Sequence, residues 1–356
     1  MYRLSAVTAV MVDILWAQEL DDYVTAVAWD ATGDHAAAAS LSGRVRVIGC
    51  TGTPVAELPA HPLGATALAW SPRAPRLAVA GQDGRVRTWE PPGHTQVVWE
   101  QPDWIGAVAW SPNGAWLAMG AGRILGVRHG DAETVRTYPR LPSTVTDLAW
   151  SFDSRRVGVA CYGGPRWFEP GREADAAVAH FDWKGSLLRL VVAPSGKWVA
   201  AGNQDRSVHV WRLWSGDDMQ MTGYPNKITA LAWSPSSRYL AVGSIADVTL
   251  WDFAGRGPRG TTPKALTGFE HGTRAVTFSP DGDLLAAATG DGVLVWEHRR
   301  GSEPVAVVAP GFAASTVAWR PGSRDLLVGT DTGQLLGARF DGTQGRPADP
   351  GTQATA

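Results

Sequence analysis

A short phrase, Ala-Trp-Ser-Pro, recurs along the chain at residues 69–72, 109–112 and 232–235. Two variants of it, at 149–151 and 277–280, keep the same rhythm. When the tryptophan, or the residue in its place, is taken as an anchor, the anchors are Trp29, Trp70, Trp110, Trp150, Val192, Trp233, Phe278 and Trp319. Successive anchors are 40 to 45 residues apart. Because unrelated segments would not keep this period over nearly the whole chain, the sequence predicts an array of eight similar units.

Each unit has the same internal pattern. An alternating run such as 228–233 predicts a strand with one buried face, and a turn such as Ser279-Pro-Asp-Gly282 follows it. A short apolar run such as 77–80 comes next, and then a second alternating run such as 207–211. A looser strand such as 96–99 ends the unit. The pattern therefore predicts four antiparallel strands per unit and almost no helix.

Some units also carry the signatures of a known repeat. His61 precedes the pair Trp89-Glu90, and Asp247 precedes the pair Trp251-Asp252. With eight units in register, the chain resembles the WD-repeat β-propeller family over residues 1 to about 340. The expected fold is all-β, a closed eight-bladed β-propeller of four-stranded antiparallel blades.

The two ends of the chain predict how the ring closes. The eighth unit has only three strands, which end near Phe340, and the residues beyond are rich in Gly, Pro, Thr and Gln. The apolar run 10–16 precedes the first anchor and has no unit of its own, so we expect this N-terminal strand to complete the last blade. A single domain over 1–340 and a flexible tail over 341–356 follow. Seven blades with a decorated end is the alternative.

Composition bounds the environment in which this fold works. The formal net charge is -2, from 32 basic and 34 acidic residues, so no strong field attracts nucleic acid or an anionic membrane. Cys50 and Cys161 cannot form a disulfide framework, which favours a reducing, cytoplasmic compartment. Only four of the 32 cations are lysine. Because arginine has GC-rich codons, we expect a bacterial source.

Most tryptophans and the turn aspartates have a structural interpretation. The six tryptophan anchors and five further tryptophans on the third strands are expected to pack sheet on sheet: Trp89, Trp167, Trp211, Trp251 and Trp296. The family resemblance implies that an aspartate before the third strand accepts hydrogen bonds within its blade, often from a histidine. The aspartates in question are Asp83, Asp205, Asp247, Asp291 and Asp331. His61 is the expected partner of Asp83.

The sequence contains no known catalytic motif. It has no Gly-x-x-x-x-Gly-Lys loop, no Gly-x-Ser-x-Gly elbow, no His-Glu-x-x-His pair and no Cys-x-x-Cys pair. We therefore predict a non-enzymatic protein with no cofactor and no bound metal. A propeller can still assemble a site around its central channel, so a propeller enzyme or a small-ligand binder is the alternative.

Members of the family usually bind partners on the face where loops lead into the first strand of each blade. The register places two positions per unit there, six and four residues before the anchor. Four of these positions carry the predicted protein-binding residues: Tyr23, Trp104, Lys227 and Arg274. Tyrosine, tryptophan and arginine dominate interface hot spots. Arg189 lies near the same rim, but one residue out of register, and is not included.

These observations predict a non-catalytic scaffold that serves signalling or complex assembly. Its binding face is expected to be apolar over blades one to four and basic over blades six and seven. Such a face suits an acidic segment flanked by a hydrophobic anchor. We expect one or more proteins as partners, no nucleic acid, no membrane and a monomeric state.

Overall fold

The computed structural model describes residues 12–130, 132–173, 176–255 and 257–340. In these residues the backbone forms 32 strands and no helix, so no helix long and apolar enough to span a membrane occurs among them. The strands form eight sheets, each of four antiparallel strands. Each sheet is one blade of a β-propeller, as the repeat predicts. The seven-bladed alternative is therefore wrong.

In blades 1 to 7 the strands follow one another in chain order from the innermost to the outermost position, and in blade 8 the outermost strand is β1. Blades 1 to 4 contain β2 (Val24–Trp29), β3 (His35–Ser40), β4 (Val45–Gly49), β5 (Pro54–Leu58); β6 (Ala65–Trp70), β7 (Leu77–Gly81), β8 (Arg85–Glu90), β9 (His94–Glu100); β10 (Ile105–Trp110), β11 (Trp116–Ala121), β12 (Ile124–His129), β13 (Arg136–Thr137); and β14 (Asp147–Trp150), β15 (Val157–Ala160), β16 (Arg166–Phe168), β17 (Ala179–His180). Blades 5 to 8 contain β18 (Leu187–Val192), β19 (Trp198–Asn203), β20 (Val208–Arg212), β21 (Asp218–Met221); β22 (Leu231–Trp233), β23 (Tyr239–Gly243), β24 (Val248–Asp252), β25 (Lys264–Leu266); β26 (Thr273–Phe278), β27 (Leu285–Thr289), β28 (Gly292–Trp296), β29 (Ala306–Val308); and β30 (Ala314–Trp319), β31 (Asp325–Thr330), β32 (Gln334–Phe340), β1 (Val12–Glu19).

The N-terminal strand β1 is the outer strand of blade 8. It pairs antiparallel with β32, with Val12 opposite Phe340. The innermost strand of each blade contacts that of the next blade, and β30 contacts β2. The ring is therefore closed by the N-terminal strand, which confirms the prediction for β1. The predicted residues Val10 and Met11, and the predicted tail over 341–356, lie outside the described residues.

The anchor tryptophans join neighbouring blades by packing and by hydrogen bonds. In five of them the indole nitrogen donates to a carbonyl of the preceding blade at 3.0–3.2 Å: Trp70 to Ala28, Trp110 to Ala69, Trp150 to Ala109, Trp233 to Val191 and Trp319 to Thr277. Nine of the eleven tryptophans predicted to pack between sheets are buried, and Trp29 and Trp251 are partly buried. Each can supply roughly 4–6 kcal/mol of gross hydrophobic stabilisation.

A second set of hydrogen bonds ties the blades together around the central channel. In six of the innermost strands, a β-bulge lies at the fourth residue before the anchor. Four hydroxyls at this position donate to the first residues of the next blade at 2.6–3.0 Å: Thr25 to Ala65, Thr66 to Ile105, Thr146 to Leu187 and Ser315 to Val24. Because Ser315 belongs to blade 8 and Val24 to blade 1, this bond also fastens the closure of the ring.

Candidate functional site: the upper face

Two sets of loops meet on one side of the ring, which we call the upper face. One set leads into the innermost strands, and the other joins the second and third strands. They are hydrogen-bonded to each other, as between Leu41 N and the Tyr23 carbonyl at 2.8 Å and between Gly122 N and the Trp104 carbonyl at 3.2 Å. The upper face is therefore a set of loops held on a rigid ring. The other turns form the lower face.

All four predicted binding residues lie on this face, but they differ in exposure. The side chain of Trp104 is 64% exposed and Tyr23 is partly buried. Lys227 is exposed and makes no ion pair or hydrogen bond within the described part of the chain. The side chains of Trp104 and Lys227 are therefore free to contact a partner, and they lie three blades apart in the ring of eight.

The structure brings Tyr23 and Arg274 together, although they come from blades 1 and 7. The guanidinium carbon of Arg274 lies 6.0 Å from the centroid of the Tyr23 ring. The same guanidinium donates to the Ala314 carbonyl at 3.3 Å and lies 3.7 Å from a carboxylate oxygen of Asp331. Arg274 thus helps to hold blades 7, 8 and 1 in place, and much of its charge is already compensated by Asp331.

Exposed apolar side chains are concentrated on the upper face. Among the described residues, twelve large hydrophobic side chains are exposed. Six of these lie in upper-face loops: Leu41, Leu63, Trp104, Tyr162, Ile245 and Phe312. The first four follow one another over blades 1 to 4. This half of the face therefore carries a run of exposed apolar side chains, and Trp104 is one member of a larger set.

The central channel opens on the same face and has a volume of about 460 Å³. Its wall consists of the first residues of the innermost strands, mostly Thr, Ala, Val and Leu, together with Asp147, Arg189 and Arg274. Nε of Arg189 lies 3.5 Å from Oδ2 of Asp147. No group of three or more His, Cys, Asp or Glu side chains suited to a metal ion occurs within the described ranges.

Comparison with known proteins agrees with this architecture. Five segments match the family described as WD domain, G-beta repeat: residues 17–48, 52–90, 178–212, 218–252 and 260–296. Together they make up half of the chain. The chain belongs to the WD40 family. Blade 3 and most of blades 4 and 8 lie outside the matched segments, yet they form WD40 blades with the same four strands.

Several WD40 relatives are similar to parts of the chain. Protein HIR1 of Gibberella zeae is 27% identical over 79% of this chain and 34% of its own length. The intraflagellar transport protein 122 homolog of Xenopus tropicalis is 24% identical over 57% of this chain and 17% of its own length. The nuclear distribution protein nudF of Aspergillus terreus is 26% identical over 39% of this chain and 36% of its own length. The chain spans little more than a third of these relatives at most.

In the second WD40 blade, the polar pair under the upper face forms as predicted, and the buried Arg87 joins it. Nδ1 of His61 lies 2.8 Å from Oδ1 of Asp83, and Arg87 donates to Oδ2 of Asp83 at 3.0 Å. Burial lowers the pKa of His61, which keeps its ring neutral at pH 7. Burial raises the pKa of Asp83, but the bonds from His61 and Arg87 outweigh this and lower it overall. The network holds a loop in place.

The other predicted aspartates differ from one another. Asp291 pairs with His271 at 2.7 Å, Asp205 accepts a bond from Ser207, and Asp331 faces Arg274. Asp247, however, accepts no side-chain hydrogen bond in the described residues. The expectation that it does so is wrong for a geometric reason. The turn before β24 has four residues between the paired Gly243 and Val248, where blade 2 has five between Ala80 and Val86, so Asp247 takes the place of Arg85.

Sequence reasoning missed five of the exposed apolar residues, although their signal was present. Leu41, Tyr162 and Ile245 are each twelve residues after their anchor, the position of Gln82 in blade 2. An apolar residue in a tight polar turn between strands has no core to enter, and this marks it as exposed. Arg189 was also missed, because the bulge between Leu187 and Arg189 places it on the channel wall despite its register.

Proposed function

We propose that this WD40 propeller is a non-catalytic scaffold that binds a partner protein on its upper face. The observation that carries the proposal is the run of exposed apolar side chains over blades 1 to 4. Exposed apolar side chains on one rigid face are typical of interaction sites. Because the loops are already ordered by hydrogen bonds, little conformational entropy is lost when a partner binds.

We infer that the partner supplies an apolar anchor and an acidic segment. The anchor would lie beside Trp104, and the acidic segment would lie over blades 5 to 7, near Lys227 and the channel residue Arg189. The exposed carboxylates Asp22 and Asp103 support this orientation, because they lie next to Tyr23 and Trp104 in the half with the apolar side chains and would repel an acidic chain there.

The experiment is quantitative affinity capture from the source cells with wild type and three single variants. Trp104→Ser and Lys227→Glu alter the two free candidates. Val97→Ser is the matched control, because Val97 is 46% exposed but lies on the outer strand β9. A partner retained by wild type and Val97→Ser, but lost by both upper-face variants with unchanged melting temperatures, is expected. Capture of the same proteins by all four forms, or of none by any form, would contradict the proposal.

Arg274 and Tyr23 are poorer choices for this experiment. Their contacts with each other, with Asp331 and with Ala314 support the ring itself. Substitution of either residue would therefore change stability and binding together.

The remaining predictions about this protein stay proposals. A bacterial source and a cytoplasmic location rest on the arginine excess and the scarcity of cysteine. A monomer without nucleic-acid or membrane partners rests on the net charge of -2 and on the closed ring. Signalling or complex assembly is an analogy from the fold.

The alternative is a small-ligand or catalytic site in the channel. The pair Asp147–Arg189 and the nearby Arg274 are the charged groups on the channel wall that such a site would use. A rise in melting temperature with a small anion, lost in Arg189→Gln, would favour this alternative over the scaffold.

A further inference from the structure

The lower face carries a separate cluster of exposed aromatic side chains, which we call the lower patch. Phe152 lies in the turn between β14 and β15 of blade 4 and is 64% exposed. Trp214 lies in the connection between β20 and β21 of blade 5 and is 45% exposed. The patch is completed by Lys197, Arg155 and Arg156, which lie in the turns that surround the two rings.

These residues form one continuous surface. The turn that contains Gly196 and Lys197 lies between the two aromatic side chains. A Cβ on Gly196 would sit 3.4 Å from that of Phe152, and the Lys197 carbonyl accepts a hydrogen bond from Leu213 N, next to Trp214, at 2.9 Å. Phe152 and Trp214 are therefore the two sides of a single patch that spans blades 4 and 5.

The packing of the blades accounts for only part of Trp214. Its ring centroid lies 5.2 Å from that of the buried Trp167, and the guanidinium carbon of Arg156 lies 4.2 Å from it. These contacts fix the ring in position and leave nearly half of its surface in water. Phe152 is exposed to a greater extent still, because its contacts with the protein cover less of its side chain. A fixed, exposed aromatic pair is a suitable anchor point for a partner side chain.

Charges of both signs lie around the two rings. Asp217 and Asp218, in the connection that contains Trp214, pair with Arg212 and His209, respectively. Lys197 is exposed and has no ion pair in the ranges that the structure describes. Arg155 and Arg156 both approach Glu169, at 3.4 and 3.5 Å, and this carboxylate is largely buried. Oδ1 of Asp153 accepts a hydrogen bond from the Ser151 hydroxyl at 2.6 Å. The nearby carboxylates are thus occupied within the protein, while the cations keep exposed surface.

We propose that the lower patch is a second docking site, which binds an acidic peptide segment with one large apolar side chain. The apolar side chain would lie between Phe152 and Trp214, and its flanking carboxylates would pair with Lys197 and Arg155. A peptide is favoured over single-stranded nucleic acid because the cations are few and the formal charge of the chain is -2.

The position of the patch separates it from the upper face. The innermost strands are up to six residues long, and at about 3.3 Å per residue the two faces are roughly 20 Å apart. One peptide binding at the upper face therefore leaves the lower patch open, and the propeller could hold two partners at once.

The test uses the full chain and a phage library of random 12-residue peptides, followed by fluorescence anisotropy of the selected peptides. Phe152→Ser and Lys197→Glu alter the patch at exposed positions, so both variants should fold with an unchanged melting temperature. Trp104→Ser is the control on the upper face. We expect selected peptides that contain an apolar residue flanked by Asp or Glu, and at least tenfold weaker binding to both patch variants but not to Trp104→Ser.

Three results would overturn the proposal: no peptide whose binding depends on the patch, selected peptides without acidic residues, or a dT20 oligonucleotide whose binding is lost in the same two variants. Failure of the upper-face proposal is distinguishable, because it is detected by Trp104→Ser and Lys227→Glu, which lie on the other side of the ring.

Discussion

Blades 2 and 6 solve the same structural problem with different chemistry. In both, a side chain nine residues before the anchor reaches down to the third strand and fixes a loop of the upper face. In blade 2 this side chain is that of His61, whose Nδ1 lies 2.6 Å from Nη1 of the buried Arg87. In blade 6 it is Tyr224, whose hydroxyl bonds to Thr249 at 2.9 Å.

The two partners, Arg87 and Thr249, stand at the same position, two residues before the tryptophan of the third strand. Blade 5 has a third version, in which Trp183 packs against His209 in a tilted arrangement, with ring centroids 4.1 Å apart. The contact between the two positions is therefore retained while the residues at both ends change together. The pairs differ in whether they include a buried charge that needs a partner of opposite charge.

The need for a counter-charge explains why Asp83 and Asp247 differ in their contacts. A buried arginine needs a counter-charge, and Asp83 supplies it in blade 2. The neutral hydroxyls of blade 6 need none, and the shorter turn moves Asp247 away from them. Burial alone then raises the pKa of Asp247, whereas the hydrogen bonds lower the pKa of Asp83.

The largest effect is expected from Asp83→Ala. The substitution leaves Arg87 buried without its carboxylate and His61 without its acceptor, and we expect a loss of about 3–5 kcal/mol in the free energy of unfolding. Urea denaturation at pH 7 measures it. Asp291→Ala is the comparison. Asp291 accepts bonds from the exposed ring of His271 and from the backbone N–H groups of Glu270 and His271, but its removal leaves no buried charge unpaired, so this variant should lose less stability than Asp83→Ala. Equal losses in the two variants would refute a special role for the buried network.

An intermediate effect is expected from Tyr224→Phe. This change removes only the hydroxyl, which accepts a bond from Nε1 of Trp251 at 2.9 Å and bonds to Thr249. The indole nitrogen is left unpaired in a largely buried place, so we expect a loss of about 1–3 kcal/mol.

Tyr239→Phe provides the comparison for Tyr224→Phe within the same blade. The Tyr239 hydroxyl has no hydrogen-bond partner in the described part of the chain, so its removal should change the unfolding midpoint little. If the two variants are equally stable, the hydroxyl of Tyr224 does not hold the loop, and the comparison with His61 fails.

The sequence predicts the backbone arrangement that carries these networks better than it predicts their side-chain contacts. The spacing of the anchors determines the number of blades, and the unpaired run before Trp29 indicates the closing strand, because both depend on the backbone pattern. The partner of His61 could also be predicted, because the family resemblance implies it. The isolation of Asp247 could not, since it results from one residue fewer in a turn.

The candidate site shows the same limit. The order of the blades in the chain predicts Tyr23 and Trp104 on one, apolar side of the face and Arg274 on the other, basic side. In a closed ring the last blades meet the first, and a long guanidinium can span blade 8 to contact Tyr23. Sequence order therefore places residues on the upper face, but side-chain length and ring closure decide which of them meet.

The smallest effect is expected from Asp247→Asn, and it has the opposite sign. Because burial raises the folded-state pKa of Asp247 above its ordinary value of 3.8, the ionised carboxylate destabilises the fold at neutral pH. The amide avoids this cost, so the variant should be more stable than wild type at pH 7, by about 0.5 kcal/mol. As the pH falls through the folded-state pKa towards 3.8, wild type becomes protonated and the difference should disappear. Urea denaturation of both proteins at pH 7 and pH 4 measures this change. A variant less stable than wild type at pH 7 would show that Asp247 has a partner after all, and that blade 6 resembles blade 2 more closely than the contacts of Tyr224 indicate.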